Sequence, residues 1–321
     1  MTRILITGIS GQDGSYLADR VLAEGAEVHG FVRAGDDAAR ALAERHPEVV
    51  LHEGDLAEPE SAARIVRTIA PDEIYNLAGI SSVAESWQRP VLTGLVTGVA
   101  VTALLDAAAQ RPGVRFFQAS SSEIFGSPTV SPQNESTPLH PTSPYGVTKA
   151  YAHQIAQLYR GRGTFVSTAI LYNHESPRRP ETFVTRKITA AAARIAAGLQ
   201  DTLELGDLSV ERDWGWAPDY VDAILRATRH SEPDDYVIAT GRSHSIAQFV
   251  DAAFAAVGIL DAAPHVISST QFFRPTEIAA MLGDATKART ALGWTPTVEF
   301  DEIVRRMVSA DVELVAAERE R

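Results

Sequence analysis

The chain contains no cysteine. That excludes disulfides, thiolate metal sites and a cysteine nucleophile, and it fits a reducing compartment. No uninterrupted apolar run approaches the roughly 18 to 20 residues of a spanning helix, and the apolar stretch after Arg3 is too short and too glycine-interrupted for a signal peptide. A cytoplasmic protein with no membrane partner is the expectation. Positive charge is scarce, with 29 Lys and Arg against 41 Asp and Glu and a formal net charge of −12. Such a balance argues against nucleic-acid binding, so an anionic ligand needs a local basic pocket. The nine histidines show no metal-ligand spacing such as H-E-x-x-H, and no metal site is expected. Internal repeats, low-complexity tracts and long linkers are missing as well.

What is present is 321 residues that are 45% hydrophobic, enough for one large domain or for a large and a small one sharing a core. Short β-branched runs alternate with alanine- and leucine-rich helical stretches from the first residues. "RILIT", "EVHGFV", "VVLHE", "DEIYNLA", "VRFFQAS" and "FVSTAILYN" read as strands. Helices are expected near 13–24, 36–46, 58–70 and 90–110 and after Pro144. This pattern predicts βαβ units on a parallel, doubly wound Rossmann-type sheet. Beyond about Asn173 the alternation breaks down, and helices near 186–198 and 300–318 stand among mixed short elements. The expected division is a dinucleotide-binding domain over 1–172 plus about 214–241, and a smaller C-terminal α/β substrate domain over about 173–213 plus 242–321.

"TGISGQDG" places Gly8, Gly11 and Gly14 directly after the first strand, where a helix opens. Glycines there permit a tight turn and let a pyrophosphate approach backbone N–H groups at the positive end of the helix. The end of the second strand discriminates between cofactors, since an acid would bind a ribose 2′-hydroxyl and an arginine a 2′-phosphate. "HGFVRAG" offers Arg33 and no acid before Asp36, so NADP is expected rather than NAD. Asp55, after the third strand, reads either as an adenine contact or as a cap of the next helix. "NLAG" ends the fourth strand on the edge where open parallel sheets bind ligands.

In "TSPYGVTKA", Pro144 suits the first turn of a helix that Thr142 or Ser143 can cap. Tyr145 and Lys149 then share a face. An ammonium beside the phenol would favour the phenolate, whose ordinary pKa is ~10, and make it a base near neutral pH. Taken alone, Tyr-x-x-x-Lys is equally an exposed lysine beside a half-buried tyrosine. "FQASSSEIFG" ends the fifth strand on the same ligand-facing edge and adds Ser121, Ser122 and Glu123.

Together, the glycine turn, the strand-end serine and the Tyr-x-x-x-Lys helix resemble an extended short-chain dehydrogenase/reductase. The resemblance narrows to the GDP-mannose 4,6-dehydratase family, carried in order by "TGISGQDGSYLA", "PDEIYNLAG", "FQASSSEIFG", "SPYGVTKAY", "YNHESPRRPETFVTRKI", "LGDLSVERDWGWAPDYVDA", "DDYVIATG" and "FRPTEIAAMLGD". It implies a lyase with tightly bound NADP. In such an enzyme Tyr145 is the acid/base, Lys149 lowers its pKa and holds the nicotinamide ribose, Ser121 binds the substrate oxygen, and Glu123 removes the C5 proton before water is lost. It further implies cofactor contacts at Gln12, Asp13, Leu56, Leu77, Ala78, His174 and Arg179, in addition to the glycines, Arg33 and Asp55. His174 is expected to position the nicotinamide through hydrogen bonds. Arg178 is the second arginine of that block, a candidate for the cofactor phosphates or for a surface ion pair. The GDP-sugar contacts it implies are Ser81, Ser122, Glu123, Asn173, Lys187, Arg212, Arg274 and Glu277.

Four departures from the family pattern stand out. Arg33 is followed by Ala34, Gly35, Asp36 and Asp37 instead of a second arginine and serines, which points to a homodimer in place of a homotetramer. Thr97 stands where Asn or Asp is usual, Ser121 where threonine is, and Pro180 where glycine is. They leave room for a related substrate such as a GDP-heptose. A reductase or epimerase acting on the 4-keto-6-deoxy product is the alternative that Glu123 opposes, and the intact Ser-Glu-Tyr-Lys set opposes a non-catalytic dinucleotide sensor.

Overall fold

The computed structural model describes residues 1–269 and 280–319. In chain order its strands begin β1 (Arg3–Thr7), β2 (Glu27–Val32), β3 (Val50–Glu53), β4 (Glu73–Asn76), β5 (Arg115–Ser121) and β6 (Phe165–Leu171). Then come β7 (Asn173–Glu175), β8 (Leu203–Leu205), β9 (Glu211–Trp216), β10 (Asp235–Ile238), β11 (Ser243–Ser245), β12 (Val266–Ser268) and β13 (Ala280–Met281). The helices are α1 (Gln12–Ala23), α2 (Asp37–Arg45), α3 (Pro59–Ile69), α4 (Val83–Gln88), α5 (Pro90–Gly94) and α6 (Ala100–Ala109). They continue with α7 (Pro144–Gly161), α8 (Val184–Ala196), α9 (Ala217–Arg229), α10 (Ile246–Ala256), α11 (Thr286–Leu292) and α12 (Phe300–Arg319).

Six strands and β10 form one parallel sheet in the order β10-β6-β5-β4-β1-β2-β3. The chain reverses direction across the sheet between β1 and β4, so a crevice opens at the carboxyl ends of those two strands. The expected doubly wound sheet is therefore present. Both faces are covered, so the central strands are mostly buried, while the edge strand β3 is partly exposed. Alternation along β1 sends Ile4 and Ile6 to a core shared with α1, α9 and α11, and Leu5 to one shared with α3, α6 and α7.

From Pro90 to Ala109 the chain runs as one helix, with a wider π-helical turn over Leu95–Val99. By length and composition this helix is apolar enough to cross a membrane, although no uninterrupted apolar run spans it, and half of it is buried inside the protein. Thr93, Thr97, Thr102 and Asp106 interrupt the run, and its buried face packs on α3 and α7. We read it as a core helix of the sheet flank.

A second core gathers Trp214, Phe249, Phe254, Ile303 and Met307 from β9, α10 and α12, with Ile188 and Ile195 of α8. β9 is its spine, pairing with β7, β11 and β13. That strand crosses the boundary expected at 213/214, while Ala285, Ala288, Leu292 and Trp294 around α11 join the first core. Helices α8 and α12 are locked by a buried ion pair. Arg186 Nε donates to both Asp311 oxygens at 2.9 and 3.0 Å, and its Nη2 donates to Asp311 as well. Asp311 is 2% exposed and Arg186 7%. Asp311→Ala leaves a buried guanidinium without its counter-charge, so it is expected to lower the unfolding free energy by about 3–5 kcal/mol, measured by urea denaturation.

Candidate active site

The crevice is built from a turn that only glycine permits. Gly8 has φ +70, and a Cβ there would lie 2.9 Å from Ala78 Cα; a Cβ on Gly14 would lie 2.2 Å from the Gly8 carbonyl oxygen. This packing lets α1 follow β1 after a four-residue turn, whose Gly8 lies against the Leu77–Ala78 segment after β4. Gly11 caps α1 without a side chain, and a Cβ on it would meet only Gly8 O, at 3.3 Å. The first-turn N–H groups, which lack partners inside any helix, are the donors a diphosphate needs, so the residues present fit a dinucleotide. Below them a buried polar ladder ties the strand ends. Thr7 Oγ1 donates to Asn76 Oδ1 at 2.6 Å, Asn76 Nδ2 to Gln118 Oε1 at 2.8 Å, and Ala78 N to Thr7 Oγ1 at 3.2 Å.

At the carboxyl ends of β2 and β3, Arg33, Ala34, Glu53, Gly54 and Asp55 line a groove of about 480 Å³. Asp55 also accepts from Ala57 N at 2.8 Å, which closes a local turn; it does not cap the next helix, α3, whose N-cap is Glu58. Asp36 caps α2 through Ala39 N and accepts from Ser10 Oγ at 2.8 Å, which fastens the loop after Arg33 to the glycine turn.

Across the crevice, β5 ends at Ser121 and a 3₁₀ turn over Ser122–Ile124 presents Glu123. Ser121 Oγ accepts from Glu123 N at 3.3 Å and shares a hydrogen bond with the Tyr145 phenol. Ser143 caps α7, accepting from Gly146 N at 3.0 Å. Gly146 lies against the Glu123 turn, where a Cβ would come within 2.6 Å of Glu123 O. Ser121, Glu123, Tyr145 and Lys149 are thus brought together as expected. Ser122 is buried beneath them, and Ser81 is exposed in the loop after β4.

The electrostatics differ from the expectation at Tyr145. Burial pushes its phenol up to about 12, opposed first by the Ser121 hydrogen bond and also by the Arg179 charge. Lys149 sits over the same ring. Its Nζ donates to Ala119 O at 2.8 Å and stands 5.9 Å from the Tyr145 ring centroid. Burial pushes Lys149 itself down to about 8, with Asp13 opposing. Both groups occupy one desolvated pocket, which penalises the charged form of each.

Gln12 and Asp13 also differ from a simple picture of cofactor donors, because their side chains turn toward β7. Gln12 Nε2 donates to His174 O at 3.0 Å, and its Oε1 accepts from Ser176 Oγ at 2.8 Å. Asp13 meets His174 Nε2 at 2.9 and 3.0 Å, while His174 Nδ1 lies 2.7 Å from Tyr172 O and the ring stacks on Tyr220 at 4.5 Å. His174 is accordingly hydrogen-bonded on both nitrogens, in keeping with a positioning role. Arg179 stacks on Phe183 and pairs with buried Glu175 at 3.4 Å, and its Nε makes no hydrogen bond. Arg178 takes the ion-pair role, donating to Asp19 at 2.7 Å and Ser15 at 3.1 Å over the Tyr16 ring.

Asn173 opens β7, Arg212 is buried on β9, and Lys187 Nζ on α8 donates to Glu204 O at 2.6 Å. Arg274 and Glu277 lie outside the described residues. Thr97 acts through its hydroxyl, which accepts from Ile80 N at 3.0 Å and holds the loop after β4 against the π turn. The contacts of Gln12 and Asp13 with β7 carried no local sequence signal, since their partners are more than 160 residues away. Among the described residues no group of three or more His, Asp or Glu could hold a metal ion.

Sheet order, glycine turn and the Ser-Tyr-Lys arrangement define an extended short-chain dehydrogenase/reductase. The sequence profile described as "GDP-mannose 4,6 dehydratase" matches residues 5–307. "GDP-mannose 4,6 dehydratase 1" of Arabidopsis thaliana is 44% identical, covering 98% of this chain and 91% of that protein. The chain belongs to the GDP-mannose 4,6-dehydratase family. Solved structures share its fold. The UDP-glucose 4-epimerase of Thermus thermophilus in complex with NAD has a TM-score of 0.84 at 27% identity, covering 96% of this chain and 98% of that one. The structure of RMD from Pseudomonas aeruginosa complexed with NADPH has a TM-score of 0.81 at 25% identity, covering 98% and 100%.

Gly14→Ala forces the Gly8 carbonyl and α1 apart. It is expected to cost about 1–3 kcal/mol in thermal unfolding and to weaken dinucleotide binding measured by calorimetry, with retained affinity counting against this turn as the phosphate site.

Proposed function

We propose that the chain converts GDP-D-mannose to GDP-4-keto-6-deoxy-D-mannose and water, using NADP. Membership of the dehydratase family supports the reaction. The observation that carries it is the presentation of Glu123 by the turn that holds Ser121 beside Tyr145, because a plain reductase or epimerase has no need of such a carboxylate. The two structural neighbours contain NAD in one case and NADPH in the other, which supports a nicotinamide cofactor; Arg33 in the groove after β2 favours NADP.

The cofactor supplies a reversible hydride acceptor, so that C4 is oxidised early and C6 reduced late with no net redox change. Ser121 donates to the C4 oxygen while Tyr145 takes the 4-hydroxyl proton. The C4 ketone acidifies the C5 proton, which Glu123 removes and delivers to the departing 6-hydroxyl, releasing water. Tyr145 returns its proton to C5. Lys149, held by Ala119 O, binds the nicotinamide ribose, and His174 and Arg179 close the cofactor site from β7 and the loop after it. For Gln12 and Asp13 we assign the cofactor contact to the backbone of the helix start, since both side chains are committed to β7 and Ser176. Gly8, Gly11, Gly14, Asp55, Leu56, Leu77 and Ala78 complete the cofactor contacts. Ser81, Ser122, Asn173, Lys187 and Arg212, with Arg274 and Glu277, are assigned to the GDP-sugar. Arginines suit its diphosphate through bidentate geometry.

We also propose a homodimer formed through the helix over 90–109 and α7. Thr102 Oγ1 and Tyr151 OH meet at 3.0 Å, and the outer face leaves Val91 76%, Val147 55% and Leu158 64% exposed, together with Val99 and Tyr151. This apolar stripe supports burial against a second copy.

Mass spectrometry of protein incubated with GDP-mannose in D₂O, without reductant, tests the reaction. The expected product is lighter by one water and carries deuterium at C5, and unchanged substrate would refute it. Glu123→Gln is expected to slow water loss by about 10²–10⁴ while sparing NADP affinity. Arg33→Ala should weaken NADP by about tenfold or more and leave NAD nearly unchanged, as removal of a charge-assisted phosphate contact would. Equal effects on the two would remove Arg33 from the 2′-phosphate site. Leu158→Glu should shift the sedimentation velocity to that of a monomer, and an unaltered dimer would place the interface elsewhere.

A further inference from the structure

The buried pair between Asp13 and His174 raises a question of charge. His174 Nδ1 faces a carbonyl oxygen, Tyr172 O, at 2.7 Å, and Nε2 faces the Asp13 carboxylate at 2.9 and 3.0 Å. A carbonyl can only accept, and so can an ionised carboxylate. Both ring nitrogens then need a proton, and the ring is an imidazolium. The alternative is a neutral pair in which a protonated Asp13 donates to Nε2. Other groups around the pair favour the ionised form of Asp13. Gln12 Nε2 donates to Asp13 Oδ1 at 3.1 Å, and the charges of His174 and Arg179 hold the Asp13 carboxyl below its ordinary value although burial opposes this. Around His174, burial opposes a charge and Arg179 repels it, while Asp13 and the Tyr172 carbonyl raise its pKa above the ordinary value. Tyr220 of α9 covers the ring face, and Glu175, one residue along β7, is paired with Arg179. Asp13 also opposes the loss of charge on Lys149 and raises Tyr145, both on α7.

We propose that Asp13 is a positioning residue of the cofactor site, holding His174 as an imidazolium so that the start of α1 and strand β7 close on the dinucleotide as one unit. The pair joins the turn that receives the phosphates to the segment that carries the sugar-binding residues, and Gln12 repeats the connection through His174 O and Ser176. Closure therefore depends on one proton. When His174 loses it, one ring nitrogen becomes an acceptor facing either the Tyr172 carbonyl or the Asp13 carboxylate, and one of the two contacts that hold the ring turns repulsive. This inference rests on the assignment of the crevice to a nicotinamide dinucleotide.

The test is a titration of the full-length protein from about pH 6 to about pH 9, following the side-chain ¹⁵N shifts of His174 by NMR and the Kd of NADP by calorimetry. His174→Gln identifies the resonance. In the native chain both ring nitrogens should stay protonated through neutrality, and NADP affinity should weaken by about tenfold as they titrate, the loss of one charge-assisted hydrogen bond. In Asp13→Asn the side-chain amide can donate to Nε2 of a neutral ring, so the ring keeps its place and loses its charge. His174 should then be neutral at pH 7 and the affinity should no longer follow its titration, whereas Asp13→Glu should restore both. A neutral His174 in the native chain at pH 7, an unchanged titration in Asp13→Asn, or a native Kd that ignores the titration would each overturn the proposal. If native protein binds neither NADP nor NAD, the cofactor assignment fails instead, and the ¹⁵N shifts still decide the charge of the pair.

Discussion

Everything in the crevice depends on how closely α1 approaches β1. Gly14 sits where any Cβ would lie 2.2 Å from the Gly8 carbonyl oxygen, and Gly8 itself needs a positive φ against Ala78. With those two positions free of side chains, the helix dipole and the N–H groups of its first turn point into the gap left where strand order reverses between β1 and β4. The same approach directs the side chains of Gln12 and Asp13 toward β7. The glycine turn and β7 are thereby held together by hydrogen bonds formed in the core, where low dielectric strengthens them.

Catalytic polarity in this pocket is set by desolvation as much as by neighbours. Tyr145 is pushed up and Lys149 down by the burial that brings them together, so each is moved toward its neutral form. Ser121 and Arg179 offset this for the phenol, and Asp13 offsets it for the lysine. The phenol is poised by a balance of opposing influences from β5, the turn over Ser122–Ile124, the loop after β7 and α1. The Tyr-x-x-x-Lys spacing alone accounts for little of it.

The second core builds the side of the crevice to which we assign the substrate. β9 runs beside β7 and fixes Asn173 opposite Trp214 and His174 opposite Gly215. Gly215 has to be glycine in practice, since a Cβ there would meet the Tyr220 ring at 2.3 Å, and Tyr220 is the ring on which His174 stacks. Tyr220, which packs edge-on against Trp294 in the first core, thus lies between Gly215 of β9 and His174 at the crevice.

By itself, the sequence determined the order and type of the elements up to about Asn173, the family, and the group of Ser121, Glu123, Tyr145 and Lys149. These are carried by local periodicity, by caps such as Ser143, and by motif spacings that keep their meaning wherever the segment folds. Only the tertiary structure decided that Lys149 donates to Ala119 O, that Thr97 holds Ile80, that Arg178 binds Asp19, and that Asp13 meets His174. Each depends on which side chains share a buried pocket after distant segments pack. The Asp13 contact spans 161 residues of chain, and no pattern along the sequence encodes a distance closed only by the fold.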